Sequence, residues 1–79
     1  MNRLKLKRLR ELRKERGLSQ LKLAMDLNMS QNSISRYETG EHEPGLEELI
    51  RFAGYFGVSV DFLLDLTDDP APRPAPSSE

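Results

Sequence analysis

Three features of the chain predict an all-α domain of five short helices. Apolar residues recur at steps of three and four, no alternating β-branched run occurs, and Ser, Asn and Gly stand where short helices would be capped and turned. Leu6, Leu9 and Leu12 lay one stripe along a first helix of roughly residues 2–15, with Leu4 off the stripe in a frayed first turn. Gly17 ends that helix as a left-handed cap. Ser19 is an N-cap for a second helix, residues 20–27, whose buried face carries Leu23, Ala24 and Leu27. Asn28 tolerates positive φ and places a turn at Asn28-Met29-Ser30.

Ser30 caps a third helix that runs to about Glu38 and stops at Gly40. After a loop, Glu41 to Gly45, a fourth helix from Leu46 to Phe56 carries Leu46, Leu49, Ile50, Ala53 and Phe56 at helical spacing. Gly57 closes it, and Ser59 caps a short fifth helix, Val60–Leu66, anchored by Leu63 and Leu64. From Asp68 the chain reads DDPAPRPAPSSE, which holds four of its five prolines. Proline removes the amide donor and bars helix, so residues 68–79 are expected to be an extended, disordered tail behind a folded domain of residues 1–67.

Composition removes several functions. With 0 Cys in 79 residues, no disulfide or thiolate metal site can form, and the lone His42 excludes a zinc site built on two imidazoles. No apolar stretch approaches the roughly 20 residues that span a bilayer, and no secretory leader is visible, so a cytoplasmic location away from membranes is expected. Catalysis lacks its parts: His42 sits in a loop with no nucleophile to serve, Glu47 and Glu48 point about 100° apart, and no phosphate-cradling glycine loop occurs. Neither an enzyme nor a cofactor or metal is expected.

Net charge is −1, but it is split. Residues 1–36 hold ten Lys/Arg against three acids, a net +7; residues 37–79 hold two against ten, a net −8. Such asymmetry suits a polyanion on one surface and something else on the other. Differently charged solvated faces would look the same, so charge alone decides nothing.

The stretch from Gln20 to Glu38 is more specific. Two helices crossing steeply over a three- to four-residue turn need a small residue at the contact, a turn residue tolerant of positive φ, and an apolar seam. Ala24, Asn28 and the set Leu23, Leu27, Met29, Ile34 and Tyr37 supply all three. Leu and Ala at helical spacing are usually plain core; seven matches in one register make a helix-turn-helix.

Around that motif stand Leu18-Ser19-Gln20 entering the second helix, Tyr37-Glu38-x-Gly40 closing the third, Pro44 in the next loop, and Gly57-Val58-Ser59-Val60-Asp61 before the last helix. With the RLRELR segment of the first helix, this resembles the phage repressor and Cro-type helix-turn-helix family, also called the xenobiotic-response-element family, over about residues 6–66. The resemblance implies a lambda-repressor-like five-helix bundle. It also implies a regulator, most simply a repressor, that binds double-stranded DNA as a homodimer on a near-palindromic operator, with residues 31–38 in the major groove.

Helical geometry adds candidates. With Ile34 at the centre of the buried face, Asn32 falls near 160° and Arg36 near 200°, pointing away from the core, with Ser33 and Ser35 beside them. Gln31 sits at the helix N-terminus, the end that enters the groove in this motif. Amides match adenine N6/N7 and guanidinium matches guanine O6/N7, so Gln31, Asn32, Ser35 and Arg36 are the expected base contacts. Outside the motif the same residues would be ordinary solvated surface. Phosphate contacts are expected from Ser19, Gln20, Ser30 and Arg13, the serines serving mainly as caps. Glu38 falls about 40° from Ile34, where an unpaired carboxylate would be costly, and the resemblance pairs it with Arg13. Lys5, Lys7, Arg8, Arg10 and Arg16 are read as solvated or long-range attractors.

The resemblance places a two-fold contact on the last two helices, at Tyr55, Phe62 and Leu66, with Val60 assigned to the core. Two features depart from the pattern. Asn28 stands where glycine is usual, a harmless exchange, and the loop after the third helix offers Glu41, His42 and Glu43 where Lys or Arg would meet phosphate. That anionic loop and the acidic second half favour an alternative: a protein-interaction module of the same fold, such as an antitoxin or a partner-binding regulatory subunit.

Overall fold

Lys7–Glu15 (α1), Gln20–Leu27 (α2), Gln31–Thr39 (α3), Leu46–Phe56 (α4) and Val60–Leu63 (α5) are the helices of the computed structural model, which describes residues 6–72 and contains no strand among them. The expectations for Leu4, Lys5 and a helix start at residue 2 fall outside the described residues. Leu6 itself is not helical (φ −83°, ψ 70°), because its N–H donates to the Tyr37 carbonyl at 3.2 Å. That bond to the end of α3 fixes the entry of the chain, and α1 begins one residue later.

Serine starts three of the helices in the same way. The hydroxyls of Ser19, Ser30 and Ser59 accept from the N–H groups of Lys22, Ser33 and Phe62 at 3.0, 3.1 and 3.0 Å. At the other end of α2, Asn28 takes φ 58° and lets the Met29 N–H return to Ala24 O at 2.8 Å, which makes the sharp corner into α3. Gly40 does the same for α3 at φ 85°.

The core gathers Leu6, Leu9 and Leu12 with Leu23, Ala24, Leu27, Ile34 and Tyr37, closed from the other side by α4, Val58 and Leu63. The α4 stripe differs from the expected one. Leu49, Phe52, Ala53 and Phe56 are buried, whereas Leu46 and Ile50 are 69% and 55% exposed. Phe52, fully buried and edge-on to Tyr37 with ring centroids 5.9 Å apart, rotates the buried face toward itself and leaves Leu46 and Ile50 on the flank.

The fifth helix is shorter than its expected Val60–Leu66. Asp65 adopts φ 64°, and the N–H groups of Asp65 and Leu66 fold back to Phe62 O and Asp61 O at 3.0 and 2.9 Å. The reversal brings Asp65 and then Asp68 onto the Arg8 guanidinium at 2.9 and 2.8 Å, while that guanidinium lies over the Phe62 ring at 4.0 Å. Both carboxylates raise the Arg8 pKa, Asp68 most. The Ser59 N–H donates to Pro70 O at 3.1 Å, so the first residues of the expected tail lie against α5. Residues 73–79 fall outside the described residues.

Asp26 joins α2 to α4. It accepts the Tyr55 hydroxyl at 2.6 Å and the Lys22 ammonium at 3.0 Å, and these, Tyr55 first, hold its carboxyl below the usual range. A depressed carboxyl stabilises the fold above its unfolded pKa of about 3.9 and loses that contribution as pH falls through the depressed value. The thermal midpoint should therefore drop more steeply below about pH 4 in the parent chain than in Asp26→Asn. Superimposable midpoint-against-pH curves would contradict this.

Candidate nucleic-acid interface

The most extensive pairing of helices is α2 with α3, and it is what presents α3 to solvent. Ala24, 2% exposed, allows the close approach; Leu23, Leu27, Ile34 and Tyr37 fill the seam, and Met29 packs against it. Ile34, Tyr37 and Glu38 bury one side of α3. The opposite side carries Gln31, Asn32, Arg36 and Thr39, all exposed, with Ser33 and Ser35 half-buried at its edges. The carbonyl of Arg36 accepts from Gly40, His42 and Thr39, which fixes the backbone beneath its side chain. The guanidinium itself is in no ion pair among the described residues.

Beneath this face lies a buried polar joint. The Arg13 Nε and Nη2 donate to both Glu38 oxygens at 2.7 and 3.0 Å, and Nη1 donates to Leu18 O at 2.9 Å. The Gln20 side-chain amide also donates to Glu38, at 3.1 Å. Arg13 and Glu38 are 8% and 5% exposed, so α1, α2 and α3 are pinned by a two-pronged charge-assisted contact shielded from water. The Glu38 hydrogen bond raises the Arg13 pKa against the opposing effect of burial.

Each candidate residue now has a position. Gln31, Asn32 and Arg36 share the open face; Ser35 is half-buried beside it. Gln20 begins α2 but spends one amide proton on Glu38, and Arg13 is turned inward to the same carboxylate. The Ser19 and Ser30 hydroxyls accept cap bonds, and Ser30 also donates to the Ser33 hydroxyl at 2.9 Å. Loss of that cap in Ser30→Ala should cost about 1 kcal/mol of stability in denaturant titration. A change below a few tenths would mean that α3 starts without it. The two-fold candidates differ in their surroundings: the Tyr55 hydroxyl is tied to Asp26, Phe62 lies half-buried under Arg8, and Leu66 is 72% exposed beyond the end of α5.

A cleft of about 300 Å³ opens where the three helices meet, lined by Arg10, Arg13, Gln20, Glu38 and Thr39. Arg10 and Thr39 were not among the candidates. Arg10 sits among seven other Lys and Arg within residues 1–16, and its spacing carries no sign that α2 and α3 end beside it. Among the described residues no helix is long and apolar enough to cross a membrane, and no group of three or more His, Cys, Asp and Glu is gathered for a metal.

Known proteins resemble this chain in sequence. Residues 9–63 match the helix-turn-helix family model. The chain is 41% identical over 66 residues to the HTH-type transcriptional regulator YobD of Bacillus subtilis, covering 84% of this chain and 59% of that protein. To the HTH-type transcriptional regulator ImmR of the same organism it is 36% identical over 58 residues, covering 73% and 46%. To the cryptic phage CTXphi transcriptional repressor RstR of Vibrio cholerae it is 34% identical over 53 residues, covering 67% and 48%. The chain thus spans about half the length of the curated relatives it matches.

Proposed function

Since the chain belongs to the Cro/C1-type helix-turn-helix family of DNA-binding transcriptional regulators, we propose that it binds a specific duplex sequence and represses transcription by occupying it. The reading is carried by the open face of α3, where Gln31, Asn32 and an unpaired Arg36 stand together on a helix fixed from behind by Ile34 and the Arg13–Glu38 joint. In the major groove the amides of Gln31 and Asn32 read adenine and the Arg36 fork reads guanine, with Ser35 at the margin. The free amides at the N-termini of α2 and α3 face the flanking phosphates, with Gln20, Ser19, Ser30 and Arg13 beside them. Such a regulator works on the genome, in the cytoplasm.

Two copies related by a two-fold axis would set their α3 helices about 34 Å apart on a near-palindrome. Exposed Leu66 and the half-buried rings of Tyr55 and Phe62 support a contact there. Selection of bound duplexes from a random pool tests the whole reading. It should return one motif in two inverted half-sites, and mobility shifts on it should weaken steeply with salt. No shift on any duplex at low salt would overturn it and favour the protein-interaction reading, which rests on the exposed Leu46 and Ile50 and the acidic second half.

A further inference from the structure

Most cations of the described chain are already engaged. Arg8 pairs with Asp65 and Asp68, Arg13 with Glu38 and Lys22 with Asp26, while Arg16 and Arg51 donate to the carbonyls of Phe56 and Leu27. Four are in neither an ion pair nor a side-chain hydrogen bond among the described residues: Arg36 on the open face of α3, and Lys7, Arg10 and Lys14, all exposed on α1. Steps of three and four put those last three within about 60° of one another, opposite the buried Leu9 and Leu12. They form one cationic stripe.

The stripe is not on an arbitrary side. Arg10 is a wall of the cleft that also holds Gln20, the first residue of α2, and Thr39, the last of α3 on its exposed face. The acid on the cleft floor, Glu38, is bound by both prongs of Arg13, so Arg10 supplies the uncompensated charge there. Past α3 no cation follows: from Gly40 to Ile50 the chain has no Lys or Arg and carries four glutamates. A duplex lying along α3 therefore meets attraction on the α1 side and none from the loop on the other.

We infer that the cleft between α1, α2 and α3 seats a backbone phosphodiester of the DNA bound by α3, held by Arg10, and that Lys14 and Lys7 follow the same strand away from it. This rests on the DNA reading above and adds to it a direction. The grip on the backbone comes from α1 and compensates for the loop 41–43, making the phosphate footprint of each copy one-sided. These contacts position the protein and carry no base preference.

The test uses the full chain on the duplex recovered by selection, with affinity measured across a salt series. Arg10→Gln combined with Lys14→Gln should weaken binding evenly on specific and random duplex and reduce the slope of log affinity against log salt by about 2, since each phosphate contact contributes about 0.9. Phosphate ethylation should cease to interfere at the positions on the α1 side of each half-site. Both residues are exposed, so circular dichroism should match the parent. Lys22→Gln, which removes a cation already paired with Asp26, should leave the slope unchanged. A double variant with the parent's slope and interference pattern overturns the inference while leaving the DNA reading intact. So does a Lys22→Gln slope reduced as much as the double variant's, which would make the effect one of total charge. A parent chain that shifts no duplex overturns the DNA reading itself, and this inference with it.

Discussion

Glu38→Ala is expected to destabilise the domain by about 3–5 kcal/mol, the cost of leaving a buried charge without its partner. Arg13 is 8% exposed and would keep its guanidinium in the interior with only the Leu18 carbonyl to satisfy it. Gln20 would lose its acceptor as well. A domain of this size has a total stability on the order of 5 kcal/mol, so much of the variant would be unfolded at 37 °C. Replacing both partners by apolar side chains of similar volume, Arg13→Met with Glu38→Leu, should recover most of the loss, because the interior then holds no charge at all. Denaturant unfolding of the two variants checks this. A single-variant cost under about 1 kcal/mol would show that water reaches the joint and screens it.

Arg36→Ala should leave stability within about 0.5 kcal/mol of the parent, since the side chain is exposed and only its backbone carbonyl takes part in the structure. On the selected duplex it should lose about 1–3 kcal/mol of binding, roughly 5- to 150-fold, while binding to random duplex falls far less. The preference for guanine at one position of each half-site should relax at the same time. A specific-to-random ratio equal to the parent's would take Arg36 off the bases and reduce its role to general attraction. The same measurement on Asn32→Ala should relax a preference for adenine at a neighbouring position.

Much of the architecture could be read along the chain because its signals are local. A serine cap at Ser19, a left-handed Asn28 and a left-handed Gly57 each act within one turn of backbone, so the bounds of α2, the end of α4 and the corner between α2 and α3 follow from neighbours a few residues apart. Glu38 could be placed on the buried side by helical phase alone. The α4 stripe could not, because Leu46, Ile50 and Phe52 are all apolar at plausible spacing and the choice among them depends on Tyr37, from another helix. The end of α5 was hidden for a similar reason. Asp65 turns the chain back toward Arg8, 57 residues away, and no local pattern announces that partner.

Local spacing thus established an all-helical chain, a helix-turn-helix with its caps, and a polar face on α3 opposite Ile34, because turn chemistry and helical phase act over a few residues. Packing settled the rest of the charge pairing. Arg8 is consumed by Asp65 and Asp68 while Arg10, Lys14 and Arg36 meet no acid among the described residues, and that division turns on which carboxylates the folded helices carry to within 4 Å of each guanidinium or ammonium. Coulombic pairing is a matter of distance in space, and distance in space is what a linear sequence does not record.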